Sequence, residues 1–293
     1  MTTLSPASIT DVGLAVGRAS EAPNGSRGAA ALALRAVRTI AAFTISMTVV
    51  IALWMGLIKV FHLDPIIVKS PADVWRYLVT DRSASANRQP IISGMKTTLG
   101  DAALGYGAGT IAAVLISIAF VLRRGVEQAL MPMAMVLRSV PLVAMTPIIT
   151  LVFGRDVLGV TVISGIVTFF PTMVNLVLAM RSVPPQTSDL LAAYGAGPLT
   201  TLRKVQLPWA MPALLASARV AVPGALIGAL LAEWLATGKG IGYFMLQAKS
   251  TVATNDLWAA VVTVTFVTVL LYALVTIIEA PVLARFAPDQ ERS

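Results

Sequence analysis

The chain has no cysteine. Disulfides, thiolate catalysis and Cys-ligated metal are therefore excluded. A single histidine, His62, leaves little from which to build a His-ligated metal centre. Charge is also scarce. Only 12% of the 293 residues are Asp, Glu, Lys or Arg, against about 25% in an average soluble domain. So few charges cannot cover a surface that faces water all round. With 57% hydrophobic residues and a mean hydropathy of +0.81, the solvent this composition fits is the bilayer, and the class is an integral membrane protein. The phosphate loop G-x-x-x-x-G-K-[ST] is missing too; the fragment TGKGIG, Thr237 to Gly242, has neither its spacing nor the Ser/Thr after Lys. The apolar runs carry no cluster of His, Asp and Glu and no paired Ser and base, which argues against a membrane-embedded enzyme. No segment of about ten residues alternates apolar with polar, so a membrane barrel is excluded as well. The charge that is present sums to +8. It is scattered between apolar runs, so it fits anionic lipid headgroups and no nucleic acid.

What the sequence does have is long apolar runs. A helix needs about 20 mostly apolar residues to cross a bilayer, and six candidates emerge: Thr39 to Ile58, Ala102 to Leu122, Gln128 to Gly154, Val157 to Met180, Met211 to Ala236 and Leu257 to Ile278. The third is interrupted by Arg138, and the fifth contains Arg219 and Glu233, the one carboxylate expected inside a span. Helix breakers gather in the middle runs at Pro132, Pro141, Pro147, Pro171 and Pro223, each either a static kink or part of a helix that moves. Gly105 and Gly109 form a small-xxx-small pair, which reads as close helix packing. The Ala-, Ser-, Gly- and Pro-rich start is expected to be a flexible tail over 1–34, with the membrane domain over 35–285 and a short tail over 286–293. Between the first two runs, SPADVWRYLVTD predicts a short helix from Ser70 to Asp81. Ser70 is its N-cap, Pro71 its first residue, and Asp73 complements its N-terminus. Trp75 and Tyr77 suit a membrane interface, placing this helix on the outer surface. A slight majority of Lys and Arg lies on the cytoplasmic side if both termini are inside.

The stretch SDLLAAYGAGPLTTLRKVQLPWAMP, Ser188 to Pro212, lies between the fourth and fifth runs. Ser188 is the expected cap of a helix starting at Asp189, with Leu190, Leu191 and Tyr194 forming an apolar stripe. Gly195 and Gly197-Pro198 end it. A second helical piece runs from Leu199 to Val205, and Leu207-Pro208 is expected to turn the chain into the fifth span. The stripe either folds back on the protein's own spans or meets a partner.

That stretch resembles the cytoplasmic EAA loop of bacterial ABC importer membrane subunits. Asp189 stands at the acidic position, Gly195 at the glycine and Leu207-Pro208 at the close, while Leu190 and Leu191 replace the two alanines. SPADVW, LRSVPLVAMTPIITLVFG, FFPTMVNLVLAMRSVPP, LPWAMPALLASARVA and AEWLATGKGIGYFM are similar to the nitrate/sulfonate/taurine-type permeases, in order, from about Ser70 to Ala280. The resemblance implies an all-α fold of six transmembrane helices in the type I importer arrangement, with a cytoplasmic coupling helix between helices 4 and 5. It implies a bacterial inner-membrane, binding-protein-dependent transport permease with no catalytic residue and no cofactor or metal of its own. Two partner ATPase subunits would bind ATP and Mg. A second permease subunit, identical or paralogous, would complete the path, and an extracytoplasmic substrate-binding protein would deliver cargo to an outer face that includes Lys239, Gly240 and the loop to Asp256, unless that Gly-rich loop is a simple turn. Asp189, Tyr194, Gly195, Ala196 and Pro198 are the expected ATPase-coupling residues.

Arg138, Arg219 and Glu233 are costly inside a bilayer. They either line a translocation path or gate, or act as interhelical braces and, for Arg, snorkel to the edge. Fourteen residues apart, Arg219 and Glu233 are separated by about 21 Å along an ideal helix and cannot pair. The resemblance implies a small organic or oxyanion cargo of the sulfonate, taurine or nitrate class; a thiamine precursor or riboflavin is the alternative. An ion-coupled secondary transporter is the competing class, although it calls for more intramembrane carboxylates and for inverted repeats.

Overall fold

The computed structural model describes residues 25–286, divided into two units, 1–63 and 64–293. The described part of the first forms one helix, α1 (Gly25–Val60), with Lys59 in its last turn. Its apolar stretch Thr44–Val60 holds most of the predicted first span. Most of the predicted tails, over 1–34 and 286–293, lies outside the described residues, but α1 already begins at Gly25.

The second unit runs α2 (Pro71–Trp75), α3 (Ala84–Leu122), α4 (Arg124–Ser139), α5 (Leu142–Phe153), α6 (Val157–Arg181), α7 (Pro185–Ala193), α8 (Pro198–Thr201), α9 (Leu207–Ala232), α10 (Gly240–Ser250) and α11 (Thr254–Phe286). Three π-turns join these helices, at Arg76–Thr80, Leu202–Gln206 and Glu233–Thr237. No strand occurs among the described residues. Among the described residues, four helical stretches are long and apolar enough to cross a membrane, in α3, in α6, over Pro198–Thr237 and over Thr254–Glu279. The pair α4 and α5 makes a fifth, broken span, bent by 107°. The chain is thus an all-α integral membrane protein, as expected of backbone that must satisfy its own hydrogen bonds in lipid.

The core is where α3, α6 and α9 cross. Its buried residues include Ala102 from α3, Val160 and Ile163 from α6, and Ala225, Leu226, Ala229 and Ala232 from α9. Small residues set the spacing. A side chain at Gly105 would collide with Ser164, one at Gly109 with Thr168 and the Gly165 backbone, and one at Gly228 with the Ser164 backbone. The predicted packing role of Gly105 and Gly109 is met on α6. With the helices this close, polar side chains reach the neighbouring backbone: Ser164 Oγ donates to the Ala225 carbonyl at 2.8 Å and Ser117 Oγ to the Met173 carbonyl at 3.2 Å. Such bonds add to the packing that holds membrane helices together.

Several expectations are corrected. The run Gln128 to Gly154 is not one span: it breaks between Ser139 and Leu142. Of the five prolines, only Pro141 sits at a break, while Pro132, Pro147, Pro171 and Pro223 lie within continuous helices. Pro141 forces Val140 before it into extended backbone, φ −73° and ψ 128°. Leu207-Pro208 does not turn the chain, because helix runs from Pro198 through Thr237. In the π-turn before it the Leu207 N–H bonds Leu202 O, five residues back. Pro208 then falls in the first turn of α9, where no N–H is required. Glu233 is not the one span carboxylate either: Glu279, one residue past the predicted sixth span, is 4% exposed.

Candidate functional site

The segment between α6 and α9 starts differently from the sequence reading. Ser188 is not its N-cap. The helix α7 begins four residues earlier than expected, at Pro185, with Pro184 at the cap and no side-chain cap bond. Pro185 presets the φ of the first helical position and outcompetes the Ser188 start. The end is as predicted. Gly195 takes φ +73°, Ala196 N–H bonds Leu191 O at 3.0 Å, and Gly195 N–H bonds Ala192 O at 2.9 Å. This is a complete Schellman cap. A side chain at Gly195 would meet nothing, so only its left-handed backbone demands glycine.

On both sides of that cap the side chains are largely bare. Tyr194 is 83% exposed, and Leu190 and Leu199 are more than half exposed. Asp189, Gly195 and Pro198 are exposed, and Ala196 is half-buried. The base is the opposite. Val183, Leu202 and Ala210 are buried, the last two against Leu176 and Met180. Trp209 Nε1 donates to Ser182 Oγ at 3.1 Å, tying the way in to the way out. Arg181, the last residue of α6, pairs with Glu127 in the first turn of α4 and donates to the Phe120 carbonyl of α3 at 3.5 Å. Of the apolar stripe, Leu190 and Tyr194 therefore stay clear of the spans, while Leu191 is part-buried.

The three charges expected in the spans go to three different places. Arg138 is exposed at the elbow between α4 and α5 and makes no ion pair or hydrogen bond among the described residues. Beside the elbow lies an open cavity of about 340 Å³, lined by Arg138, Ser139, Pro141, Met145, Phe170 and Pro171 among others. Arg219 faces Glu279 of α11 at 3.2 Å and lies 5.8 Å from the ring centroid of Tyr272, a brace between α9 and α11. Glu233 is 1% exposed. Its Oε1 accepts from Thr98 Oγ1 at 2.6 Å and its Oε2 from the Gly242 N–H at 2.7 Å. Thr98 Oγ1 in turn accepts the Ile241 N–H at 3.0 Å. Together, Thr98 and Glu233 cap the bare N-terminus of α10. A side chain at Gly240, φ +84°, would collide with that carboxylate. Arg219 and Glu233 do not meet, as their spacing required.

At this same end of α9, Lys239 and Asp156 form an exposed pair at 3.6 Å. Nearby connections are strapped down. Thr254 Oγ1 donates to Ile66 O at 2.7 Å, Trp258 Nε1 donates to Ile67 O at 2.9 Å, and Tyr77 hydrogen-bonds Asp256. Burial, and then the Asp256 bond, push the Tyr77 hydroxyl well above its ordinary pKa. Ser70 and Asp73 form the predicted cap as a reciprocal box: Asp73 N–H donates to Ser70 Oγ at 3.2 Å, and Ser70 N–H donates to Asp73 Oδ2 at 3.1 Å. Bonds from the Ser70 side chain and backbone hold the Asp73 carboxyl below its ordinary value.

Sequence reasoning missed Thr98, Glu127 and Glu279. Thr98 and Glu127 stand just ahead of predicted spans and Glu279 just behind one. A polar residue within a turn of a span end was the available signal.

Residues 90–286 match a family described as the inner membrane component of binding-protein-dependent transport systems. The chain is 31% identical to a probable ABC transporter permease protein of Haemophilus influenzae, over 58% of this chain and 67% of that one. It is 27% identical to the formylaminopyrimidine transport permease protein of Halalkalibacterium halodurans, over 62% of this chain and 70% of that one. It is 26% identical to a nitrate import permease protein of Leptolyngbya laminosa, over 71% of this chain and 73% of that one.

Proposed function

Since the chain belongs to the family of inner membrane components of binding-protein-dependent transport systems, the ABC importer permeases, we propose that it forms half of an ATP-driven import path and takes its driving force through the segment from Pro185 to Gln206. The observation that carries this reading is the contrast within that segment. Its tip presents Leu190, Tyr194 and Leu199 outward on a Schellman-capped turn, while Leu202 at its base is buried and the residues flanking it are anchored, Arg181 to α3 and α4 and Ser182 to Trp209 of α9. An apolar tip on an anchored stalk suits docking into a groove. Asp189, Tyr194, Gly195, Ala196 and Pro198 form the contact with an ATPase subunit, which binds ATP and Mg. Two such subunits serve two permeases, this chain and an identical or paralogous second one. Both termini and the docking tip lie in the cytoplasm. The opposite end, with Lys239 and Gly240, faces an extracytoplasmic binding protein. In the path Arg138 lines the elbow cavity, and Arg219 and Glu233 hold the helices beside it. The cargo is a small organic or oxyanion nutrient of the sulfonate, taurine or nitrate class. A vitamin precursor is the second reading, favoured by the similarity to a permease named for formylaminopyrimidine.

The chain has no cysteine of its own, so a Tyr194→Cys variant gives a unique labelling point in this subunit. In membranes that contain the whole transporter, a thiol cross-linker at that position is expected to capture a nucleotide-binding subunit, and uptake is expected to require ATP. Labelling from the extracytoplasmic side, or uptake that persists without ATP and follows an ion gradient, would replace this reading with a secondary transporter.

A further inference from the structure

The helix α4 is held to the rest of the bundle in an uneven way. Along its length Met131 and Ala134 rest on an apolar cluster that contains Phe120, Met173 and Val177. Among the described residues its side chains make one polar connection to another helix, Glu127 to Arg181; the hydroxyl of Ser139 returns to Val136 of α4 itself. Apolar contacts let helices slide, because they have no fixed direction. An ion pair with two donors on one carboxylate fixes both distance and angle. Arg181 offers such geometry, with Nε 3.1 Å from Oε1 and Nη2 on Oε2. The two side chains are part-buried, with exposures of 29% and 18%, while Arg181 as a whole residue stays at the surface.

Its position in the chain matters as much as its geometry. Arg181 is the last residue of α6, immediately before the segment with the bare tip. Glu127 is in the first turn of α4, and Arg138 is in the last. Eleven helical steps separate them, about 16 Å of continuous helix with Pro132 near its middle. At the far end of that helix the chain breaks, bends by 107° and borders the open elbow cavity.

We propose that the Glu127–Arg181 pair is the tie through which movement of the segment from Pro185 to Gln206 drives α4 as a lever and reshapes the elbow at Arg138. The tie stays closed throughout the cycle. This inference rests on the reading that the tip of that segment receives an ATPase subunit. Glu127 and Arg181 are positioning residues: they touch neither nucleotide nor cargo.

The test uses the complete transporter in proteoliposomes, with ATP hydrolysis and cargo uptake measured together. Glu127→Gln and Arg181→Gln are expected to keep hydrolysing ATP while cargo moved per ATP falls at least fivefold. The exchange Glu127→Arg with Arg181→Glu is expected to recover at least half of the loss. A second arm compares one protein in two states. The variant with Glu127→Cys and Arg181→Cys is expected to be uncoupled as the free dithiol and to regain coupling when a short bis-maleimide joins the two positions. A purely structural role would lower assembly and hydrolysis together and would not respond to the cross-link. Unchanged cargo per ATP in the Gln variants overturns the proposal. So does a cross-linked protein that stays uncoupled or loses transport, since the tie must then open. ATP-independent uptake by the unaltered transporter overturns both this inference and the function it rests on. ATP-dependent uptake with normal coupling in Glu127→Gln overturns this inference alone.

Discussion

The two ends of the long helical stretch from Pro198 to Thr237 use the same devices to opposite effect. Each has a π-turn, at Leu202–Gln206 and at Glu233–Thr237, and each has glycine in left-handed backbone nearby, Gly195 at one end and Gly238 and Gly240 at the other. At the Glu233 end everything turns inward. A buried carboxylate and a hydroxyl satisfy the bare N–H groups of α10, and Gly240 lacks a side chain because the carboxylate occupies that space. At the Gly195 end the hydrogen bonds are local backbone bonds, the space around the glycine is empty, and the apolar side chains are left bare. One end is complete within the chain. The other is shaped but unfinished, as a docking element should be.

That contrast is broken most forcefully at Glu233. Glu233→Ala removes the acceptor for the Gly242 N–H, which costs about 1–3 kcal/mol when left bare in a buried site, while the Thr98 hydroxyl falls back on the Gly94 carbonyl at 3.1 Å. A marked fall in the thermal unfolding midpoint of the detergent-solubilised protein is expected; an unchanged midpoint would mean that the carboxylate is not what holds α10. Gly195→Ala comes next. It costs about 1–2 kcal/mol for left-handed backbone, confined to the Schellman turn because a methyl group there meets nothing. Hydrogen exchange should show faster opening over residues 185–200 and no change around Glu233, with the ATPase contact weakened. Ser70→Ala removes half of the capping box at about 1 kcal/mol, read as faster exchange over residues 71–80. Asp73 has a folded pKa below its ordinary 3.8. The contribution of the box is therefore fully present above that ordinary value and is lost as pH falls through the lowered folded one. The smallest effect on stability belongs to Tyr194→Ala. An exposed side chain with no partner should change stability by less than about 0.5 kcal/mol, yet recovery of the ATPase subunit on co-purification should drop. A large stability loss there would erase the distinction between the two ends.

The legibility of each region follows from the range of the forces that shape it. The Ser70 box and the Gly195 turn were readable because capping and left-handed backbone involve residues within about one turn. The packing of Gly105 and Gly109 was readable as a role, but the partners, Ser164, Gly165 and Thr168, were not. The Ser188 cap was misread because two local signals competed and Pro185 won. Pro208 was misread because a π-turn absorbed it. Glu127, Thr98 and Glu279 went unnoticed because each gains its meaning from a residue more than fifty positions away.

By itself the sequence determined the solvent and the class. Scarce charge and long apolar runs demand a bilayer, and a bilayer demands backbone that bonds to itself, hence helices. It also determined the local shape of the segment between α6 and α9, because caps and turns are written in neighbouring residues. Only the tertiary structure decided which polar groups meet: Glu233 with Thr98 and Gly242, Arg219 with Glu279, Arg181 with Glu127, and Arg138 with none of them. A charge in a low-dielectric interior is held by whichever partner the fold brings within about 3 Å, and helical crossings, not sequence spacing, set that distance.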